Sequence, residues 1–132
     1  FAEAIKALGT LEDRQKNGEV LRRLSEQLID VVKKLKNVEL NGPEKLDRSP
    51  DNINFTLIGM DQDTVIAKLD LAGFAVSTGS ACVSGSSEPS HVIRSLGKIK
   101  EGDAATIRVS LGKHNKTAEI EAFIAAIRKI IK

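Results

Sequence analysis

The sequence is poor in aromatic residues: no Trp, no Tyr and four Phe in 132 residues. A surface that stacks single-stranded bases needs more rings than that. Neither sign of charge dominates, with 20 Lys and Arg against 18 Asp and Glu and a formal charge of +2. The balance holds along the chain, because residues 1–48 carry ten basic and nine acidic side chains and the remainder carries the same. No basic stripe is available to neutralise phosphates, so a nucleic-acid partner is not expected. A single Cys excludes an intrachain disulfide and any Cys-cluster metal site, and it fits a reducing cytoplasm. No apolar run approaches the ~20 residues that cross a bilayer, so no membrane span is expected. Paired metal-ligand spacings, Gly-x-Gly-x-x-Gly and Walker-type loops are also missing. The chain opens on Phe-Ala-Glu-Ala-Ile in place of an initiator Met, in what reads as mid-helix. The expectation is therefore a fragment, with a segment removed before Phe1.

What is present is an ordinary globular mixture, 41% hydrophobic and 29% charged. One domain over residues 1–132 is expected, since a core of this size rarely divides. Phe1, Ile5 and Leu8 share a face of a short helical segment, punctuated by Gly9 and Thr10. Leu21, Leu24, Leu28, Val31, Val32 and Leu35 recur at three and four, predicting an amphipathic helix over 11–36 that bends at Asn17-Gly18. A short strand is predicted over 38–40, stopped by Asn41-Gly42-Pro43. Ile53, Phe55 and Leu57 alternate with polar neighbours, as a strand with one buried face does. Asp61 or Asp63 can cap a helix that ends at Leu71 with Gly73 beyond it. Residues 74–76 read as a brief strand and 77–87, rich in Ser and Gly, as a loop. Pro89 opens a helix ending at Gly97, Ile107, Val109 and Leu111 mark another strand, and Thr117 caps a last helix. The fold class is α+β, with helices covering one face of a short sheet.

Cys82 stands in Ser80-Ala81-Cys82-Val83-Ser84-Gly85, among small polar residues, which favours an exposed thiol over a buried one. A thiol attacks as its thiolate, and a loop can carry it to and from a substrate. No Lys or Arg lies within 77–87, so activation of the thiol would come from elsewhere. Arg108 alternates with the apolar Ile107 and Val109 and so points away from them. A guanidinium on a rigid strand can clamp a carboxylate with two parallel hydrogen bonds, although a solvated side chain on an open sheet face fits the same pattern. His91 and His114 read as surface residues.

The run from Ser77 to Val92, with Cys82 followed by Glu88-Pro89-Ser90-His91, closely resembles the cysteine loop of the cysteine desulfurases, the NifS/IscS-like group of the class V aminotransferase family. Leu40-Asn41-Gly42, Pro50 with Asn52-Ile53-Asn54-Phe55, Leu96-Gly97 and Ile107-Arg108-Val109-Ser110-Leu111-Gly112 resemble the same family in register. Two positions depart from its pattern, Val83 and Lys113. The likeness spans essentially the whole chain and is to that family's C-terminal small domain, part of a fold-type I enzyme that uses pyridoxal 5'-phosphate (PLP).

The resemblance implies a sulfurtransferase that converts L-cysteine to L-alanine. Cys82 would be the nucleophile and would carry the sulfur as a persulfide to an acceptor protein or an iron–sulfur scaffold, where it could touch an assembling cluster. Arg108 would bind the substrate α-carboxylate. The family's PLP lysine follows a His in its large domain, and the one Lys–His adjacency here, Lys113-His114, runs in the reverse order. No cofactor is therefore expected on this piece, and the isolated chain is expected to be inactive. The full-length form would be a homodimer. A persulfide carrier that stands alone is the alternative, and it has no need of Arg108.

Overall fold

The computed structural model describes residues 2–7, 9–44, 48–78, 95 and 104–132. The chain enters through helix α1 (Ala2–Ala7) and helix α2 (Leu11–Val32). Thr10 closes the start of α2 with a reciprocal cap. Its hydroxyl accepts from the Asp13 N–H at 3.2 Å, and Asp13 Oδ2 accepts from the Thr10 N–H at 2.9 Å. Gly9 turns the chain between the helices at φ +69°, and a Cβ there would lie 2.9 Å from Asp13 Oδ2. Only glycine fits that corner without strain.

Helix α2 runs 22 residues and passes through Asn17-Gly18 as one continuous helix. It stops at Val32, four residues short of the predicted end. The N–H groups of Lys34 and Leu35 bond back three residues, to Val31 and Val32, and Asn37 then adopts φ +60°. That tightening unwinds the helix and aims the chain into the first strand.

Strands β1 (Val38–Asn41), β2 (Asn52–Ile58), β3 (Ser77–Thr78) and β4 (Ala104–Ser110) form one antiparallel sheet in the order β1-β2-β4-β3. The predicted strand at 74–76 is not formed. The paired residues are Ser77 and Thr78, opposite Arg108 and Ile107. The expected loop at 77–87 thus begins as an edge strand, and its remainder lies outside the described residues, as does all of the expected helix at 89–97 except Ser95, which is helical.

Helix α3 (Gln62–Leu71) is capped by Asp61, whose Oδ1 accepts from the Thr64 N–H at 2.8 Å, and it ends at Gly73 with φ +84°, as expected. The last helix, α4 (Thr117–Ile131), starts with Thr117 as its first residue and not as its cap. Lys116 holds the cap position, where its N–H donates to Glu119 Oε2 at 2.8 Å. The Glu119 carboxylate of the first turn satisfies the N–H of the cap residue itself, and the Lys116 side chain makes no cap bond of its own.

Helices α2 and α3 pack on one face of the sheet, and α4 packs across both helices. Ile53, Phe55, Leu57, Ile107, Leu28 and Leu69 are fully buried in a single cluster between these layers. Phe74 and Phe123 close its edge edge-to-face, with ring centroids 5.3 Å apart. This core leaves the second face of the sheet to be built from the alternate strand residues.

Candidate functional site

Because strand residues alternate, fixing Leu40, Phe55 and Ile107 in the core sends their neighbours to the opposite face. The register places Asn41 opposite Asn54, Asn54 opposite Arg108, and Arg108 opposite Ser77. One polar row therefore crosses all four strands. The adjacent row holds Thr56 and Thr106, again directly opposite each other.

The middle of this face is not solvated, although Glu39, Asn52 and Ser110 at its margins are exposed. Asn41, Thr56 and Thr106 are 2%, 1% and 2% exposed, values found more often for core leucines. Buried polar groups persist when they bond one another, and these do. Asn41 Nδ2 donates to Asn54 Oδ1 at 2.7 Å and to Thr56 Oγ1 at 2.8 Å, while the Thr56 and Thr106 hydroxyls lie 3.3 Å apart. Arg48 reaches in from the segment before β2 and donates through Nη2 to the backbone carbonyl of Asn41. Burial holds the Arg48 guanidinium below its usual pKa.

Arg108 is half-buried on β4, on the face that strand alternation assigns to it. Its Nε is buried and has no acceptor among the described residues, and the same is true of Arg48 Nη1. Buried N–H donors on two cations are costly without an acceptor, and on the same face the buried Asn41 Oδ1 likewise has no partner among the described residues. The rigid strand fixes the origin of the Arg108 fork, which is what two-point carboxylate binding requires.

Cys82 and His91 lie outside the described residues. His114 is exposed in the turn before α4, as expected. Neighbouring Lys113 donates to the carbonyl of Ala7 at 3.2 Å. Asn41, Asn54, Thr56, Thr106 and Arg48 had no functional reading in the sequence. Alternating polar residues on a strand look solvated, and only the fold shows that this row is buried. Among the described residues no three His, Cys, Asp or Glu side chains gather into a metal site. No helix among them is long and apolar enough to cross a membrane.

The site is thus an arginine on the polar face of a short antiparallel sheet backed by helices. The class-V aminotransferase family model matches residues 1–123, and the chain belongs to that family. Among curated relatives it is 38% identical over 124 residues to cysteine desulfurase IscS of Clostridium botulinum, covering 92% of this chain and 31% of that protein. It is 35% identical over 113 residues to cysteine desulfurase IscS 1 of Archaeoglobus fulgidus, covering 85% and 29%. The NifS-like protein of Rickettsia africae superposes with a TM-score of 0.67 at 30% identity, over 83% of this chain and 28% of that one. The cysteine desulfurase CsdA of Escherichia coli shares the fold, with a TM-score of 0.72 at 17% identity over 96% of this chain and 28% of that one. The chain spans about a third of the length of the curated relatives it matches.

Proposed function

We propose that residues 1–132 are the small domain of a cysteine desulfurase, and that they supply its carboxylate clamp and its sulfur-accepting thiol. The observation that carries this reading is Arg108, held on a rigid strand with a buried Nε that lacks an acceptor among the described residues. Similarity to IscS and NifS-like proteins supports cysteine as the molecule whose carboxylate Arg108 receives.

In this reading the Cys82 thiolate attacks the sulfur of bound L-cysteine. A sulfur–sulfur bond forms, the substrate carbon–sulfur bond breaks with its electron pair on the carbon side, and protonation there yields L-alanine. Cys82 is left as a persulfide, which an acceptor protein or an iron–sulfur scaffold collects. PLP, when bound in the complete enzyme, supplies the electron sink for that cleavage. The lysine that holds the cofactor would belong to another part of the full-length homodimer, which we place in the cytoplasm.

Steady-state kinetics of the full-length protein carrying Arg108→Ala test the clamp. Loss of a charge-assisted, two-point contact should raise the KM for L-cysteine by about ten- to a hundredfold. An unchanged KM would remove the clamp and favour a persulfide carrier.

A further inference from the structure

Asn54 faces Arg108 directly across the β2–β4 pair, on the same side of the sheet. Side chains so placed have Cβ atoms roughly 5 Å apart. Which end of the Asn54 amide meets Arg108 is decided on the other side, by Asn41. Both N–H groups of the Asn41 amide are committed, one to Asn54 Oδ1 at 2.7 Å and one to Thr56 Oγ1 at 2.8 Å. Asn41 is itself 2% exposed and held at its backbone carbonyl by Arg48, so it has little freedom to turn. The Asn54 oxygen is therefore fixed toward β1, and its NH2 group is the end left for the β4 side. No described residue accepts from that NH2.

An amide NH2 and a guanidinium are both donors and cannot bond each other. The Asn54 NH2 is accessible on a partly buried residue, and beside it the buried Arg108 Nε has no acceptor among the described residues, so one incoming acceptor can bridge the two donors. We infer that Asn54 is a second carboxylate-binding residue, its NH2 donating with the Arg108 guanidinium to the carboxylate of the amino-acid substrate. Asn41 acts behind it as a positioning residue that sets the amide's orientation. This rests on the reading of Arg108 as the carboxylate clamp and extends it to a residue with no charge.

Asn54→Asp is the sharpest variant. Its carboxylate can still accept from Asn41 Nδ2, so the relay behind it survives, but the NH2 is replaced by a negative oxygen beside the incoming carboxylate. In the full-length enzyme, Asn54→Ala should raise the KM for L-cysteine about tenfold with kcat little changed, and Asn54→Asp should raise it further still. The ratio of kcat/KM for L-cysteine over L-cysteinamide, which lacks the carboxylate, should fall in both variants and in Arg108→Ala. A purely structural Asn54 leaves the KM of Asn54→Ala unchanged and raises only that of Asn54→Asp, whose new carboxylate would pair with Arg108 and compete with the substrate. That result, or a ratio that falls in Arg108→Ala and stays put in Asn54→Ala, overturns the inference alone. A ratio unmoved in Arg108→Ala as well overturns the clamp and the inference with it. Melting temperatures of each variant separate a binding defect from unfolding.

Discussion

Replacing Asn41 by Ala tests whether the polar face is held together from within. The side chain is 2% exposed and makes two hydrogen bonds, at 2.7 Å to Asn54 and 2.8 Å to Thr56. Each is worth about 1 kcal/mol net, giving about 2 kcal/mol for the pair. Asn41 Oδ1 is buried with no partner among the described residues, and removing it returns part of that loss. The expected destabilisation is therefore about 1–2 kcal/mol, or a melting temperature lower by about 4–8 °C for a domain of this size. Urea unfolding followed by far-UV circular dichroism measures it, with an unchanged m-value expected because the core is untouched. Thr56→Val completes a double-mutant cycle with Asn41→Ala, and the pair should couple by about 0.5–1.5 kcal/mol. A coupling indistinguishable from zero, together with full stability in Asn41→Ala, would refute the relay that fixes Asn54.

Phe55 is fully buried at the centre of the sheet, so Phe55→Ala should cost about 3–5 kcal/mol in the same urea assay. Gly9→Ala should destabilise by about 1–2 kcal/mol, since it forces a side chain into a left-handed corner against Asp13. Gly18→Ala should stabilise by about 0.5–1 kcal/mol, because that glycine is mid-helix and a Cβ there meets nothing within 4 Å. The carboxyls of Asp13, Asp61 and Glu119 are held below their ordinary values of 3.8, 3.8 and 4.5, the first two by the hydroxyl and backbone N–H of Thr10 and of Thr64, and Glu119 by the Lys116 N–H and the Asn115 amide. A depressed pKa in the folded state stabilises it above those ordinary values, and the contribution is lost as pH falls below about 4. Melting curves across pH 2–6 should decline toward acid less steeply in Asp61→Asn than in the wild type.

The elements legible in the sequence were those whose pattern is itself the physical cause. Ile53, Phe55 and Leu57 alternate because one face of β2 is core, and Asp61 and Gly73 bracket α3 because they satisfy its ends. The two-residue strand at Ser77–Thr78 carries no such pattern. Pairing with β4 makes it a strand, and that is a long-range contact. Thr117 resembled a cap more than Lys116 did, but the Glu119 carboxylate took the Lys116 N–H and moved the cap back one residue. At the site, strand alternation gave the direction of Arg108. The burial of Asn41, Thr56 and Thr106 was hidden, because polar residues at every second position read as a wet face until the fold covers them.

The central claim is tested most directly at Cys82. Full-length protein should be incubated with L-cysteine, quenched with an alkylating agent and digested, and the peptide containing Cys82 read by mass spectrometry. The account predicts one added sulfur on that peptide in the wild type, and far less in Arg108→Ala at the same subsaturating cysteine concentration. Equal persulfide in the two proteins, or none on Cys82 while alanine is still produced, would contradict it.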